Sequence, residues 1–593
     1  MGNFNISAVL KKAGERQWDE RTLVQESTEL AENLLNDSAR KISSDERSLL
    51  SALEKVAADA KNKEFLLTLC NRVLHSNTPQ QQSDNLKKLL ADFGGIPTFF
   101  SGIARLRFRA ASALSLNKEK NGIVHEVHHL IRSTFKDLTL APSLEKADKK
   151  AREWAKDKVA LAVSPLSPTV FGYSSAEQYY HFLEAVQSRQ TGLGIVIQPW
   201  RLCPELTPYA PETGIKNIAD KLRTLLRLSM GGGLSTPVIV ETGTSDILPL
   251  IIEAFLQVMS EEEFFRVNAM PELPAYLKST PALLHRLTDW SAKRVAKGAL
   301  PLKVLLVKGS HLDKEKSCAF LYGSEHATAA SKADTDARFK QLVATAIKTD
   351  AKTIIPVIGT HNLFDLSYAL LCWGRHKRVG LPHFVFKGGL GNHLARYLAK
   401  EGASVTLTVG MASDLDNDSG FEQYLTQLVS ELSRPDGYLT NGYAPKTDSM
   451  GWTRMRQQFL ASASGRKESE TEQLKAIDSL IPGTLSHVTN AARTAEFFDR
   501  AGQETKQLEI PLLIGGEEKN TPLTCIKRSL TAPGVEDYRF TSADFSLIDD
   551  VLRLAQSATA KAAERTPEQR SAIALTLAKK LQKNRVEIEA LLV

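Results

Sequence analysis

The sequence has little of what marks secreted, membrane-spanning or nucleic-acid-binding proteins. Its five cysteines are scattered and include no CxxC pair, which argues against a disulfide scaffold or a thiolate zinc site. No apolar run approaches the roughly 18 residues that a membrane helix needs. The 75 basic and 68 acidic residues are spread along the whole length, whereas a nucleic-acid binder concentrates its charge. We therefore expect a cytoplasmic protein that binds no nucleic acid and makes at most peripheral contact with a membrane.

What the sequence does have is enough length for several domains. Its 593 residues exceed the roughly 250–300 at which a single core stops growing, and 42% of them are hydrophobic. Residues 1–154 carry apolar side chains at spacings of three and four, which predicts an all-α arm. Residues 441–509 are predicted to form a helical linker. Residues 510–593 are predicted to start a new module with a short strand that ends on a glycine turn, followed by the helices Ser546–Glu564 and Pro567–Leu592.

Residues 155–440 alternate between short β-branched runs and amphipathic helical patterns. Eight such runs match a (β/α)8 barrel in number and length, whereas the alternative, a doubly wound sheet, rarely needs eight units. The sequence therefore predicts an α/β barrel with an N-terminal helical arm. The eight predicted strands are Val159–Val163, Gly194–Gln198, Pro237–Glu241, Phe265–Asn268, Lys303–Lys308, Thr353–Ile358, Phe384–Lys387 and Ser404–Val409.

Polar side chains cluster where these predicted strands end. Since the chemistry of such barrels lies at the C-terminal ends of the strands, these side chains could converge on one mouth and bind an anionic small molecule. Ordinary salt bridges around the rim are the alternative. Glu241, His311 and Lys387 are the candidate substrate-binding residues, and no catalytic residue is assigned. The full set at the strand ends is Gln198, Glu241, Asn268, Lys308, His311, Asp313, Thr360, His361, Asn362, Lys387 and Thr408.

A glycine-rich segment joins the seventh predicted strand to its helix. Gly389 and Gly391 could let backbone N–H groups approach a phosphate at the start of that helix. The loops after strands seven and eight are the usual phosphate site of barrels. A tight turn explains the same glycines.

A second motif lies in the arm, where His125, Glu126 and His129 satisfy H-E-x-x-H on a predicted helix. The two histidines would share one face as zinc ligands, with Glu126 as the base of a zinc hydrolase. A histidine-rich helix surface is the alternative. No third ligand is evident downstream, so we assign no metal site.

Two barrel motifs, taken in order, resemble a known family. Val307-Lys308-Gly309 with Asp313, followed by Thr360-His361-Asn362, resembles the proline dehydrogenase barrel of bacterial proline utilization A flavoproteins. Leu277–Trp290 resembles the helix that precedes strand five there. The C-terminal segment that starts at Pro511 resembles the opening of the glutamate-semialdehyde dehydrogenase module, which follows the barrel in that family.

This resemblance implies oxidation of proline to pyrroline-5-carboxylate with FAD as the cofactor. NAD would be needed only if a complete aldehyde dehydrogenase module follows. Such a module, or a second copy of the chain, is the implied partner. The residues that would hold the flavin are Lys308, Thr360, His361, Asn362, Gly389 and Gly391.

The charged residues with which the family holds proline are substituted in this sequence. The arginine pair of the last barrel helix falls on Gln427 and Leu428, and the strand-five arginine falls on Leu305. Each charge-assisted contact to a buried anion is worth about 1.5–3 kcal/mol, so these losses together would abolish proline binding. The remaining substituted positions are Gln198, Glu241, Val385 and Thr408.

We therefore predict a degenerate barrel that is catalytically weak or inactive and has a structural or ligand-sensing role. An active FAD-dependent oxidoreductase on proline, or on a related amino or imino acid, is the alternative.

Overall fold

The computed structural model describes most of the chain as two compact units. The first comprises residues 1–204, 215–318 and 326–482, and the second comprises residues 205–214, 319–325 and 483–593. None of the described helices is long and apolar enough to cross a membrane. The described residues are 5–16, 18–76, 78–114, 122–140, 143–166, 172–208, 210–231, 236–309, 311–322, 326–412, 419–434, 446–462, 480, 508–528 and 536–584.

The first unit contains a closed parallel barrel of eight strands, β2 to β9. Each strand pairs with the next, and β9 pairs with both β8 and β2, which closes the ring. The two-residue strand β1 adds to β9 from outside the ring. The (β/α)8 prediction is confirmed. The strands are β1 Thr139–Leu140, β2 Val159–Leu166, β3 Gly194–Ile197, β4 Val238–Val240, β5 Ala269–Pro274, β6 Leu302–Val307, β7 Ile354–Gly359, β8 His383–Lys387 and β9 Val405–Ala412.

The prediction for the fourth barrel strand is wrong by several residues. The strand is Ala269–Pro274, whereas Phe265–Asn268 lies in the turn before it. Two prolines and Glu272 interrupt the β-branched pattern on which the prediction depended. As a consequence, Asn268 lies at the N-terminal end of the barrel, where its Oδ1 accepts a hydrogen bond from the Lys303 Nζ at 2.8 Å.

The described part of residues 1–154 is helical apart from the two-residue strand β1, and these helices share a core with the barrel. Side chains of the arm helices pack with Leu390 and with one face of α18, the last barrel helix. The arm helices are α1 Ile6–Glu15, α2 Glu20–Ala39, α3 Ser44–Ala58, α4 Ala60–Thr68, α5 Pro79–Phe93, α6 Gly102–Leu114 and α7 Gly122–Thr134, with a π-helical turn at Leu69–Val73 after α4.

Helices surround the barrel between its strands. Several begin with a side-chain cap; for example, Asn362 Oδ1 accepts the Phe364 N–H at the start of α16. The helices are α8 Leu144–Lys156, α9 Gly172–Ser188, α10 Pro199–Leu202, α11 Pro211–Gly231, α12 Leu248–Met259, α13 Thr280–Val295, α14 Leu312–Tyr322, α15 Lys332–Lys348, α16 Leu363–Arg375, α17 Asn392–Lys400 and α18 Ser419–Leu432.

Among the described residues of the predicted linker, one helix belongs to the first unit. It is α19, Met450–Ala461, whose Trp452 and Phe459 pack against Phe364 of α16 with ring centroids 4.5 and 5.6 Å apart. Most of the remaining linker lies outside the described residues.

The described part of the second unit contains short strands and two helices. Leu512–Ile514 pairs with Glu517–Lys519 across Gly515 and Gly516, both at positive φ, so the predicted glycine turn is confirmed. The predicted C-terminal helices are confirmed in their described parts, while residues 585–593 lie outside them. The elements are β10 Leu508–Ile510, β11 Leu512–Ile514, β12 Glu517–Lys519, β13 Thr524–Arg528, β14 Glu536–Thr541, α20 Ile548–Ala563 and α21 Pro567–Lys583.

Candidate functional site

Side-chain alternation decides which residues line the mouth of the barrel. The middle of the barrel is filled by an apolar cluster with one residue from each of seven strands, and these are Ala162, Val196, Ile239, Met270, Leu305, Val357 and Val385. Residues two positions further toward the C-terminal ends face the same way and line the mouth. The side chains placed there include Gln198, Glu241, Glu272, Val307 and Lys387.

Two carboxylates lie side by side on adjacent strands at this mouth. The register pairs Val240 with Pro271, which places Glu241 beside Glu272. Gln198 Nε2 donates a hydrogen bond to Glu241 Oε2 at 2.8 Å. On its other side Glu272 is paired with Leu305, which offers no charge. The two acids therefore repel each other while only Glu241 has a hydrogen-bonding neighbour.

This arrangement changes the acidity of both carboxyl groups. Burial, together with the charge of Glu241, raises the pKa of Glu272 to about 8, although Lys387 acts in the opposite direction. Burial also raises the pKa of Glu241, against the Gln198 hydrogen bond and the charges of Lys387 and Arg201. At neutral pH the pair therefore holds a proton.

Lys387 and His361 lie together at the same mouth. Lys387 is exposed, and its backbone N–H donates to His361 Nε2 at 2.9 Å, which assigns the imidazole proton to Nδ1. Burial and the charges of Lys387 and His393 lower the pKa of His361 to about 3, so this ring is neutral. His311 is half-buried, with its ring edge-to-face to Trp200 at 5.4 Å, and burial lowers its pKa too. The predicted set Glu241, His311 and Lys387 thus shares one mouth.

Thr360 and Asn362 have local roles in the turn that precedes α16. Thr360 Oγ1 accepts the Asn362 N–H at 3.1 Å, while Asn362 caps the helix. These bonds hold His361 in its place under the glycine-rich loop, where a Cβ on Gly391 would lie 2.7 Å from the ring.

Lys308 points away from the mouth. Since Leu305 and Val307 face inward, alternation turns Lys308 outward toward α15 and α16. Its Nζ lies 2.5 Å from Asp336 Oδ1 and 2.6 Å from Asp365 Oδ2. The structure therefore places this predicted cofactor residue in a buried ion cluster and not with the mouth residues.

The loop with Gly389 and Gly391 is closely packed against the protein itself. Gly389 has a φ of +83°, and a Cβ there would lie 2.8 Å from the carbonyl oxygen of Asp137 in the arm. Its N–H donates to Asn392 Oδ1 at 3.0 Å. The tight-turn interpretation of these glycines fits this packing.

A carboxylate of the arm fills the anion position at the start of α17. Glu46 Oε1 accepts the His393 N–H at 2.9 Å and lies 2.7 Å from His393 Nδ1, while Arg396 Nη1 lies 3.0 Å from Oε2. Burial alone would raise the pKa of Glu46, but the His393 hydrogen bonds and the Arg396 charge outweigh it and lower the pKa. The positive end of this helix is thus satisfied from within the chain.

The last barrel helix brings no arginine pair to the mouth. Gln427 is exposed, and Leu428 is buried in the core that α18 shares with the arm. Tyr424 is half-buried on the same helix. Asp313, retained in the resemblance, forms an ion pair with Arg434 beyond the end of α18.

The H-E-x-x-H motif lies on α7, with His125 and His129 exposed. Glu126 is held by Arg107, whose Nε and Nη2 donate to its two oxygens at 2.8 and 2.9 Å. His128 Nε2 lies 3.2 Å from Glu422 of α18. In the described part of the chain, no group of three or more potential metal ligands is present.

The sequence profile of the proline dehydrogenase family matches residues 119–415, which is about half of the chain and includes all eight barrel strands. The chain belongs to the proline dehydrogenase family. No curated protein sequence matches it.

Solved structures of proline utilization A proteins share the fold of this proline dehydrogenase family member. The Bdellovibrio bacteriovorus protein, inactivated by N-propargylglycine, is similar with a TM-score of 0.62 at 16% identity, over 97% of this chain and 58% of its own. The Corynebacterium freiburgense protein gives 0.52 at 21% identity, over 65% and 38%. A Bradyrhizobium japonicum point variant gives 0.53 at 14% identity, over 86% and 54%. The chain therefore spans between 38% and 58% of the length of these three structures.

The residues proposed to hold FAD do not fit its diphosphate at the glycine-rich loop. The Glu46 carboxylate already binds the N-terminus of α17. The backbone carbonyl of Asp137 packs closely against Gly389. Lys308 is neutralised by two aspartates. A second anion at this place would be repelled by Glu46.

Two residues of the site were missed in the sequence. Glu272 was missed because its strand was misplaced, and a strand position two residues after Met270 would have revealed it. Glu46 carries no local signal, because its partners lie about 350 residues further along the chain.

Proposed function

We propose that this chain is a proline dehydrogenase-family barrel that has lost proline oxidation and keeps a structural or ligand-sensing role in proline catabolism. The supporting observation is the charge at the mouth, where Glu241 and Glu272 lie together and Leu305 occupies the next strand position. The carboxylate of proline would meet two acids there, without the arginine pair that would bind it.

Two further features support the loss of flavin chemistry. Glu46 fills the anion position at α17, and α18 turns Leu428 into the core that it shares with the arm. An aldehyde dehydrogenase module, or a second copy of the chain, is the partner that such a scaffold would serve.

The first test is the visible spectrum of the purified protein, recorded before and after the addition of FAD and again after proline with an electron-accepting dye. We expect a colourless protein that retains no added flavin on gel filtration and reduces no dye. The Corynebacterium freiburgense proline utilization A protein, treated identically, is the positive control.

Two results would contradict the proposal. Flavin bands that bleach on adding proline would make the chain an active dehydrogenase with rearranged contacts. Flavin bands that ignore proline but bleach with another amino or imino acid would make it an oxidoreductase with a changed substrate.

A further inference from the structure

Glu272 is a carboxyl group at the mouth that has no cation of its own. Glu241 accepts a hydrogen bond from Gln198, and the Gln198 Oε1 accepts one from the Arg201 Nη1 at 3.3 Å. Glu272 has an acid on one side and Leu305 on the other, and within the described residues its carboxylate forms no hydrogen bond or ion pair. When it is ionised, its charge is therefore offset only by the attraction of Lys387, which forms no ion pair with it.

A buried hydroxyl that lies within reach of the Glu272 charge also lacks a partner among the described residues. Tyr276 lies in the turn that follows β5, two residues beyond its end, is 2% exposed, and its ring takes the space that a Cβ on Gly309 would need. Its hydroxyl oxygen has no hydrogen-bond partner among the described residues. Burial, and then the charges of Glu315, Glu272 and Asp246, raise the pKa of Tyr276, so the phenol is neutral. A buried polar atom left in this way points to a ligand that would complete it.

The wall next to these two groups is apolar. Leu305 belongs to the barrel core. Val307 packs against that core two residues further along the same strand, nearer the mouth. A ligand at Glu272 would therefore meet a carboxylate and a phenol oxygen on one side and hydrocarbon on the other.

We propose that this mouth binds a small aliphatic amine as its ammonium ion, with N–H groups donated to Glu272 and Tyr276 and hydrocarbon packed on Leu305 and Val307. The inference rests on the proposed function, since it requires a mouth without flavin. An amine without a carboxylate needs no arginine pair. A second carboxylate, Glu241, adds to the attraction of the site for a cation.

Binding of the ammonium ion displaces the proton that the Glu272 carboxyl group carries. The Glu272 carboxyl group releases its proton to solvent as the ammonium ion forms a charge-assisted bond with the carboxylate. The charged groups that act on Glu272 are Glu241 and Lys387. The titratable groups next to these are Arg201, which acts on Glu241, and His311, His361 and Tyr424, which feel the charge of Lys387. Tyr276 feels Glu272 and also Glu315 and Asp246. Both histidines have lowered pKa values, so near pH 7 the carboxyl pair is the proton source.

The test is calorimetric titration of the flavin-free protein with pyrrolidinium chloride at pH 7 in phosphate and in Tris, at matched ionic strength. We expect release of nearly one proton per bound cation, seen as a heat difference between the buffers. Affinity should rise almost tenfold between about pH 6 and pH 7, since the pKa of Glu272 is about 8. Tetrahydrofuran, a neutral ring of the same size, should not bind.

Variants separate this site from non-specific attraction of cations. Glu272→Gln should weaken pyrrolidinium binding at least about tenfold and abolish proton release, as expected for loss of one charged contact. Glu262→Gln removes the same charge from an exposed position before β5, at the opposite end of the barrel, and should change nothing.

Binding without proton release, equal binding of tetrahydrofuran, or no binding at all would overturn the proposal. Because proton release and pH dependence are measured on the unaltered protein, the proposal can still be tested if the Glu272→Gln variant fails to fold. If this test fails, the proposed loss of proline oxidation still stands, because the flavin spectrum and the dye assay test it separately.

Discussion

Replacing Lys308 by methionine is expected to lower the free energy of unfolding of the first unit by about 3–5 kcal/mol. The change leaves Asp365, which is 1% exposed, without the ammonium that lies 2.6 Å from it. Asp336 keeps Lys332 at 2.6 Å but loses the closer Lys308. Burial would raise the pKa of Asp336, yet the two lysine charges bring it down to about 2, which shows how strongly the cluster favours the ionised form.

Thermal unfolding followed by circular dichroism at neutral pH measures this loss. Lys332→Met is the matched control, because it removes a lysine from the same aspartate at a site that is 35% exposed, and we expect it to cost about 1 kcal/mol or less. The double variant Lys308→Met with Asp365→Asn should recover much of the stability, since it leaves no buried unpaired charge there. Equal effects of the two lysine variants would contradict the assigned role of Lys308.

Replacing Glu46 by glutamine is expected to lower the free energy of unfolding by roughly 1.5–3 kcal/mol at neutral pH, because it removes the buried charge that holds the arm on α17. The glutamine keeps the shape of the side chain and its acceptor for the His393 N–H, but it offers no charge to Arg396. Limited proteolysis should then cleave the arm faster, and the unfolding midpoint should fall.

The pH dependence of stability gives a second check on Glu46. Its pKa is lowered in the folded protein, so its contribution is complete above the unfolded value of about 4.3 and is lost as pH falls through the folded value. The difference in free energy of unfolding between the parent protein and the Glu46→Gln variant should therefore become smaller under acid conditions. Asp45→Asn, at an exposed carboxylate 3.3 Å from Lys136, should leave stability almost unchanged. A gap that stays constant through the acid range would contradict the assigned ion pair.

The barrel could be predicted from the sequence because its local patterns agree with its tertiary structure. Leu248–Met259, for example, is apolar with a proline near its start, and it forms the buried helix α12. β5 was misplaced because Pro271 and Pro274 break the β-branched pattern. Burial in the closed sheet, which the local sequence does not encode, makes this segment a strand.

From the sequence, a site residue could be predicted only when it lies at the end of a recognisable strand. Glu241 and Lys387 were found because they end predicted strands, and both line the mouth. Lys308 was assigned to the same mouth although alternation from Leu305 turns it outward. The contact of Glu46 with α17 depends on how the arm docks, which no local pattern contains.

The docking of the arm on the barrel has a consequence for synthesis of the protein. Tyr368 of α16 donates its hydroxyl to Glu20 of α2 at 2.7 Å, across a separation of 348 residues. At about 5–20 residues per second, the ribosome needs roughly 20–70 s to travel from one partner to the other. During that time the apolar stripe of α2, which includes Leu23, Leu30 and Leu34, has no barrel to cover it. The arm helices, which are translated before the barrel, must therefore be shielded by one another or by a chaperone until the helices that bury them have emerged.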